Sequence, residues 1–178
     1  TVVTALKEMG CYRLWIGSES GSQRVLDAMH RDTRVEDVQA KTHLLQQHGI
    51  EVGMFIMLGY EGEAVSDLEA TTNHLIKANP DLFLTTVAYP IKDTPYYKQV
   101  KERVVAPDGW EKVSDRDLSV SGRYSRRFYS FATRWMVNAV ALHREWHGPR
   151  QPVRLARSLA NTALGRAGML LTVREREA

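Results

Sequence analysis

Two stretches of this chain place carboxylates where chemistry could be done. "YRLWIGSESGS", residues 12–22, turns from apolar residues into Glu19, Ser20 and glycine; "GMFIMLGYEGE", residues 53–63, turns into Gly59, Glu61, Gly62 and Glu63. The uninterrupted run Leu14-Trp15-Ile16 predicts a strand buried on both faces, as in parallel sheets covered by helices. In such folds the loops at the C-terminal ends of strands hold ligands, so an acid there is a candidate working group. Glycine lets the backbone approach a ligand closely and take positive φ, and the next helix offers free N–H groups. Acids at that helix start would repel a phosphate, so the two strand ends favour a ligand with hydroxyls, an ammonium or a sulfonium. The competing reading makes Glu19 and Ser20 caps of the following helix, and Glu61 and Glu63 first-turn acids complementing its dipole.

The remaining reactive side chains point elsewhere less sharply. His43, His48 and His74 lie on or beside helical stretches, without a cysteine or acid at ligand spacing, and read as surface or edge residues. His143, Glu145 and His147 make H-x-E-x-H, not the H-E-x-x-H of zinc proteases. Cys11, the one cysteine, sits just before a strand and reads as a buried structural thiol. Alone it can form no internal disulfide framework and hold neither an iron–sulfur cluster nor a structural zinc.

Three apolar runs could position the acids: Tyr12 to Ile16, Val52 to Leu58 and Leu82 to Ala88. Between them lie helical patterns. Val38, Thr42 and Leu45 share a face in residues 35–48, with Gly49 where a helix stops, and Val65, Leu68, Leu75 and Ile76 form a stripe in residues 64–78, ended by Asn79-Pro80. Strands alternating with amphipathic helices predict a parallel sheet with right-handed crossovers. Residues 106–122, around "APDGWEKVSDRDLS", read as an irregular connection. Residues 124–147 form a long helical candidate carrying Phe128, Phe131 and Trp135 as a core or domain-contact stripe, beside Arg123, Arg126, Arg127 and Arg134 as a solvated face. A last helix over about 153–171 mixes leucines with arginines in the manner of interfacial helices, so peripheral membrane contact through it is a further expectation.

With 178 residues, 43% hydrophobic and 25% charged, the chain suits one globular domain with a real core. It starts at Thr1 with no strand before the first helical stretch, and three strands leave a sheet edge bare, so it reads as a piece of a longer chain. The net charge of +3 is concentrated late, since most arginines follow Arg103. No apolar run approaches the roughly 20 residues of a membrane span and no secretory signal is present, which makes the cytoplasm the expected location. No nucleic-acid-binding motif accompanies the late arginines, so nucleic acid is not an expected partner.

"LKEMGCYRLWIGSESGSQRVLDAMHR", "HGIEVGMFIMLGYEGE" and "TTVAYPIKDTPYY", in this order and spacing, resemble the C-terminal half of a radical S-adenosylmethionine barrel, nearest in pattern to the cobalamin-binding-domain subgroup. The resemblance implies an α/β fold: the C-terminal part of a partial (β/α)6 TIM-like barrel over residues 1–105, with strands four to six, then the connection 106–122 and a helical C-terminal extension over 123–178. It implies cofactor-binding roles for Glu19 and Ser20 at the ribose or amino-acid end of S-adenosylmethionine. Ile56 and Gly59 would lie near the adenine, with Glu63 as the closing acid and Tyr89 at the end of the sixth strand. It further implies a [4Fe–4S] cluster, cobalamin on an upstream domain, a small-molecule or lipophilic substrate, and an electron donor such as flavodoxin or ferredoxin. The intact protein would cleave S-adenosylmethionine reductively and take a hydrogen atom from substrate, for methylation or rearrangement. The chain departs from that pattern in two places. Glu61 stands where the family has proline, and the CxxxCxxC loop is absent, so this chain alone is expected to be inactive. The reading from a different class is a non-catalytic α/β binding module that has kept the loops and lost the cluster.

Overall fold

The computed structural model describes residues 1–106, 114–149 and 151–178. In chain order they form α1 (Val2–Glu8), β1 (Arg13–Glu19), α2 (Gln23–Ala28), α3 (Val35–Gln47), β2 (Glu51–Leu58), α4 (Val65–Ala78), β3 (Leu82–Val87), α5 (Pro95–Val100), β4 (Val104–Val105), β5 (Ser119–Val120), α6 (Arg126–His147) and α7 (Pro152–Thr172). Local chemistry sets many of these boundaries. The Thr94 and Ser125 hydroxyls accept from the Tyr97 and Phe128 N–H groups and start α5 and α6, and α4 stops at Asn79, which turns left-handed at φ 43° before Pro80.

β1, β2 and β3 form one parallel sheet in that order, with Leu14 opposite Val52 and Met54 opposite Phe83, so the α/β class with a parallel sheet is present; no barrel is. β4 and β5 make a separate antiparallel pair, and β5 falls inside the 106–122 stretch expected to be irregular. Residues 107–113 of that stretch lie outside the described residues. The short helix α2, too brief for a periodic signal, stands between β1 and α3.

Val52, Met54, Ile56 and Leu58 alternate along β2 onto one face and are all buried. Helices cover that face with Val38 and Leu45 of α3, Leu68 and Leu75 of α4, and Phe128, Ala132, Met136 and Val140 of α6. Burial of a side chain of this size is worth about 1.5–3 kcal/mol, which makes this layer the main source of stability. The first helix of the C-terminal extension therefore shares the core of the βα layer.

The opposite face is bare, which corrects the expectation of burial on both faces. Trp15 is 40% exposed, Phe55 46% and Leu84 55%. The two rings stack with centroids 4.8 Å apart, and Trp15 also covers Gly53, where a Cβ would stand 2.5 Å from the indole. A continuous apolar run signals two apolar faces; it does not report whether both are covered.

Three further expectations change. His74 is buried at 2% exposure, because α4 turns it inward beneath β1. Cys11 is only half-buried, its thiol directed at the Arg13 carbonyl. Arg123 is a half-buried clamp, described below. Arg126 and Arg127 keep to the expected solvated face, with side chains 70% and 72% exposed, and pair with Glu177 at 3.3 Å and Glu175 at 3.0 Å, tying residues 175–177 back onto α6.

Candidate functional site

The C-terminal ends of the three strands open onto a cleft of about 630 Å³, lined among others by Glu19, Met57, Tyr60, Ala88, Tyr89 and Tyr96. β1 delivers Glu19 through a bulge: its register against β2 shifts between Gly17 and Glu19, leaving Ser18 as the extra residue. Glu19 consequently adopts φ 59°, a left-handed conformation uncommon outside glycine, asparagine and aspartate. Its carboxylate folds over Gly17, with Oε1 2.9 Å from where a Cβ would stand, so a side chain there would expel it. Among the described residues this carboxylate has no hydrogen-bond or ion-pair partner. Arg31 beside it donates instead to the Gly17 carbonyl at 3.2 Å.

Aromatic rings form the facing wall. Tyr60 and Tyr96 stack with centroids 5.1 Å apart, and the Tyr60 hydroxyl is anchored to the Ala28 carbonyl at 3.2 Å. The buried Tyr96 hydroxyl closes no hydrogen bond; burial raises its pKa, and the nearby Arg123 guanidinium opposes the rise. Arg123 donates from Nη1 to the Gly59 carbonyl at 3.1 Å and the Ala88 carbonyl at 2.5 Å, fastening the ends of β2 and β3 together. The carbonyls just past a strand end need a donor, and here an arginine from the loop before α6 supplies it.

Of the six residues the sequence singled out, the structure brings Glu19 and Tyr89 to the cleft and keeps the other four behind its wall. The Ser20 hydroxyl contacts Thr71 Oγ1 at 3.1 Å and accepts from the Ser22 N–H at 3.1 Å, so it joins β1 to α4. It is also not the helix cap considered for it, since Ser22 holds the cap position of α2. Ile56 lies on the core face. Gly59 takes φ 77°, and a Cβ there would stand 2.8 Å from the Tyr129 ring, so glycine is required twice over. Glu63 is 8% exposed and reaches back to accept from the Gly59 N–H at 2.6 Å, leaving Oε1 without a partner. Burial pushes its pKa up to about 8; the Gly59 hydrogen bond and the cations Arg24 and Arg123 work against that rise, while Asp67 adds to it.

Sequence reading missed the network under these turns. Asp67 accepts from the Ser22 hydroxyl at 2.6 Å, from the Ala64 N–H at 2.8 Å and from Arg24, which also donates to the Gly62 carbonyl at 2.9 Å. Burial alone would raise the Asp67 pKa, but these donors hold it below the usual carboxylate value. His74 lies between Ser18 Oγ at 2.9 Å and the Gln39 amide at 3.1 Å, and burial lowers its pKa to about 4, so the ring is neutral. Gly21 admits this contact, since a Cβ there would stand 2.4 Å from that of His74. The one sequence signal for the network was the spacing of Asp67 three residues after Ala64, a capping-box position.

Among the described residues no three or more histidines, cysteines or acids gather to hold a metal ion. Cys11, at the N-terminal end of β1, lies at the opposite end of the sheet from the cleft.

No protein-family model matches the chain. Over 104 residues, 58% of this chain and 23% of the relative, it is 25% identical to the bacteriochlorophyllide d C-12(1)-methyltransferase of Chlorobaculum tepidum. Over 118 residues, 65% of this chain and 26% of the relative, it is 25% identical to an uncharacterized methyltransferase of Pyrococcus horikoshii. The chain spans about a quarter of the length of these curated relatives. The radical S-adenosylmethionine assignment is corrected accordingly: no family model supports it, and the similarity found is to proteins described as methyltransferases. The iron–sulfur cluster, cobalamin and the flavodoxin or ferredoxin donor rested on that assignment and are not carried forward.

Proposed function

We propose that this chain forms part of an S-adenosylmethionine-dependent methyltransferase and that the strand-end cleft takes the adenosyl part of the methyl donor. The unpartnered Glu19 carboxylate, held at positive φ in a tyrosine-walled cleft, carries the proposal. A charged acceptor left without donors in a half-enclosed site suits a ligand that brings its own donors, and ribose hydroxyls do so through strong charge-assisted hydrogen bonds. The tyrosine faces suit a flat purine and a sulfonium, which aromatic rings attract as they attract other cations. The unbonded Tyr96 hydroxyl offers a further polar contact in the same wall. Bound S-adenosylmethionine supplies an electrophilic methyl group, whose transfer leaves the S–CH3 electron pair on sulfur as S-adenosylhomocysteine. The residues of this chain bind and orient; the similarity to two methyltransferases supports the reaction class.

The same reading makes the three strands part of a larger parallel α/β unit, a barrel or a longer sheet. The bare Trp15–Phe55 face and the short share of the relatives that the chain spans support this. Ultraviolet crosslinking of methyl-labelled S-adenosylmethionine, followed by peptide mapping, tests the site. Label is expected in the peptides carrying Tyr60, Tyr89 or Tyr96 and is expected to be displaced by excess S-adenosylhomocysteine. Label confined to other peptides, or not displaced, overturns the proposal.

A further inference from the structure

α7 is built inside out. Its buried side is small, consisting of Ser158, Gly165, Gly168, Met169 and Thr172 against α6. A Cβ at Gly165 would stand 2.6 Å from the Trp135 backbone nitrogen, and one at Gly168 2.2 Å from the Phe131 ring, so the two helices pack backbone to side chain. The side turned away from the protein carries Val153, Leu159, Leu164, Leu170 and Leu171, all exposed, with Leu171 at 83%. Between them sit Ala156, Ala160, Ala163 and Ala167, also exposed, so no charge interrupts the outer face over about 30 Å of helix. An ordinary surface helix puts its apolar stripe inward and its polar residues outward.

Unpaired charge borders this face on one side, whereas on the other Arg166 is paired with Glu69. Arg154 and Arg157 of α7 and Arg134 of α6 line a polar cleft of about 480 Å³ together with Asn138 and Asn161. Among the described residues none of the three guanidinium groups has an ion pair or hydrogen bond. Glu145, which also lines the cleft, is the one acid in residues 126–172. At the other border Trp146 is 64% exposed beside an apolar groove between the helices. Among the described residues no helix is long and apolar enough to cross a membrane.

We infer that the α6–α7 hairpin docks on the surface of an anionic phospholipid bilayer, with α7 lying in the interface plane. Its leucines enter the acyl boundary, Trp146 sits at headgroup depth, and Arg134, Arg154 and Arg157 take lipid phosphates. Charge complementarity selects this occupant. A second copy of the chain or an apolar protein segment would cover the leucines and leave three bordering arginines unpaired. An anionic bilayer answers both, because interfacial binding draws on buried apolar area and on attraction to anionic headgroups together.

Vesicle flotation of the chain tests this, with phosphatidylcholine vesicles compared with vesicles containing an equal part of phosphatidylglycerol. Three arginines near the surface imply roughly 100-fold tighter binding to the anionic vesicles at low salt, weakening as salt rises. The double substitution Leu164→Asp and Leu171→Asp lies on an exposed face and is expected to keep the helical circular dichroism and abolish flotation. Arg154→Ala with Arg157→Ala is expected to lower the anionic preference at least roughly tenfold. The inference is overturned by absence of flotation with anionic vesicles, or by flotation unchanged in the leucine variant. Self-association abolished by the leucine substitutions, without vesicle binding, overturns it equally and assigns the face to a second copy.

Discussion

The ends of β1 and β2 are written in the same residues and do opposite work. Each passes from apolar side chains, half-buried or exposed in β1 and mostly buried in β2, into glycine and acid. At the end of β1, Glu19 is itself the last strand residue, turned by a bulge into a left-handed conformation, its carboxylate in the cleft without a partner. At the end of β2, Glu63 comes five residues after the strand and folds back through a turn opened by Gly59, clasping that glycine's N–H in the protein interior. An acid after an apolar strand is therefore a ligand group or a clasp according to how far past the strand it falls. Distance decides because only an acid several residues on can turn back and satisfy the freed N–H groups of its own strand end.

Substitutions can break this contrast. Glu63→Ala leaves the Gly59 N–H buried and unpaired and is expected to cost about 3 kcal/mol in urea unfolding, whereas Glu63→Gln retains an acceptor and is expected to cost less than about 1 kcal/mol. Equal losses would show that the charge, not the clasp, matters. The Glu63 pKa near 8 lies above that of the unfolded chain, so its contribution is full below about pH 4.5 and is lost as pH rises through 8. Glu63→Gln is expected to flatten stability across that window.

His74 titrates with the opposite sign. Its folded pKa near 4 lies below the ordinary 6.5, so its contribution is full above pH 6.5 and is lost as pH falls towards 4, amounting to about 3 kcal/mol. His74→Gln is expected to remove the acid-side decline, and an unchanged acid limb would show that the ring is not held neutral. For Glu19 the expected stability effect is smaller and reversed: Glu19→Gly relieves the left-handed strain and is expected to stabilise by about 1 kcal/mol. Loss of stability in that variant would mean that the carboxylate is structural after all. The smallest effect belongs to Arg127→Ala, whose exposed pair with Glu175 is worth less than about 0.5 kcal/mol.

Much of the layer was legible in the sequence because its signals are local. Apolar runs over 12–16, 52–58 and 82–88 mark the three strands, and the helix stripes and stops at Gly49 and Asn79-Pro80 fall where the structure places them. What the sequence hid depends on which residues meet across the fold. The inward turn of His74 depends on Gly21 and Ser18, more than fifty residues earlier in the chain. Arg123 reads as one of several surface arginines, and only the register of β2 and β3 makes it their clamp. Glu63 and Glu19 share a local pattern, so sequence alone assigned them one role. Likewise the leucines and arginines of α7 were visible as a mixture. That its outer face is wholly apolar follows only from which side packs on α6.

The central claim, that the end of β1 holds an adenosyl ligand while the end of β2 holds the fold, is tested most directly by isothermal titration of S-adenosylhomocysteine into the wild-type chain, Glu19→Gly and Glu63→Gln. Binding to the wild type is expected, with comparable binding to Glu63→Gln and at least roughly tenfold weaker binding to the more stable Glu19→Gly, about the worth of one charge-assisted hydrogen bond. Absence of binding to the wild type, or binding by Glu19→Gly as tight as by the wild type, would contradict it.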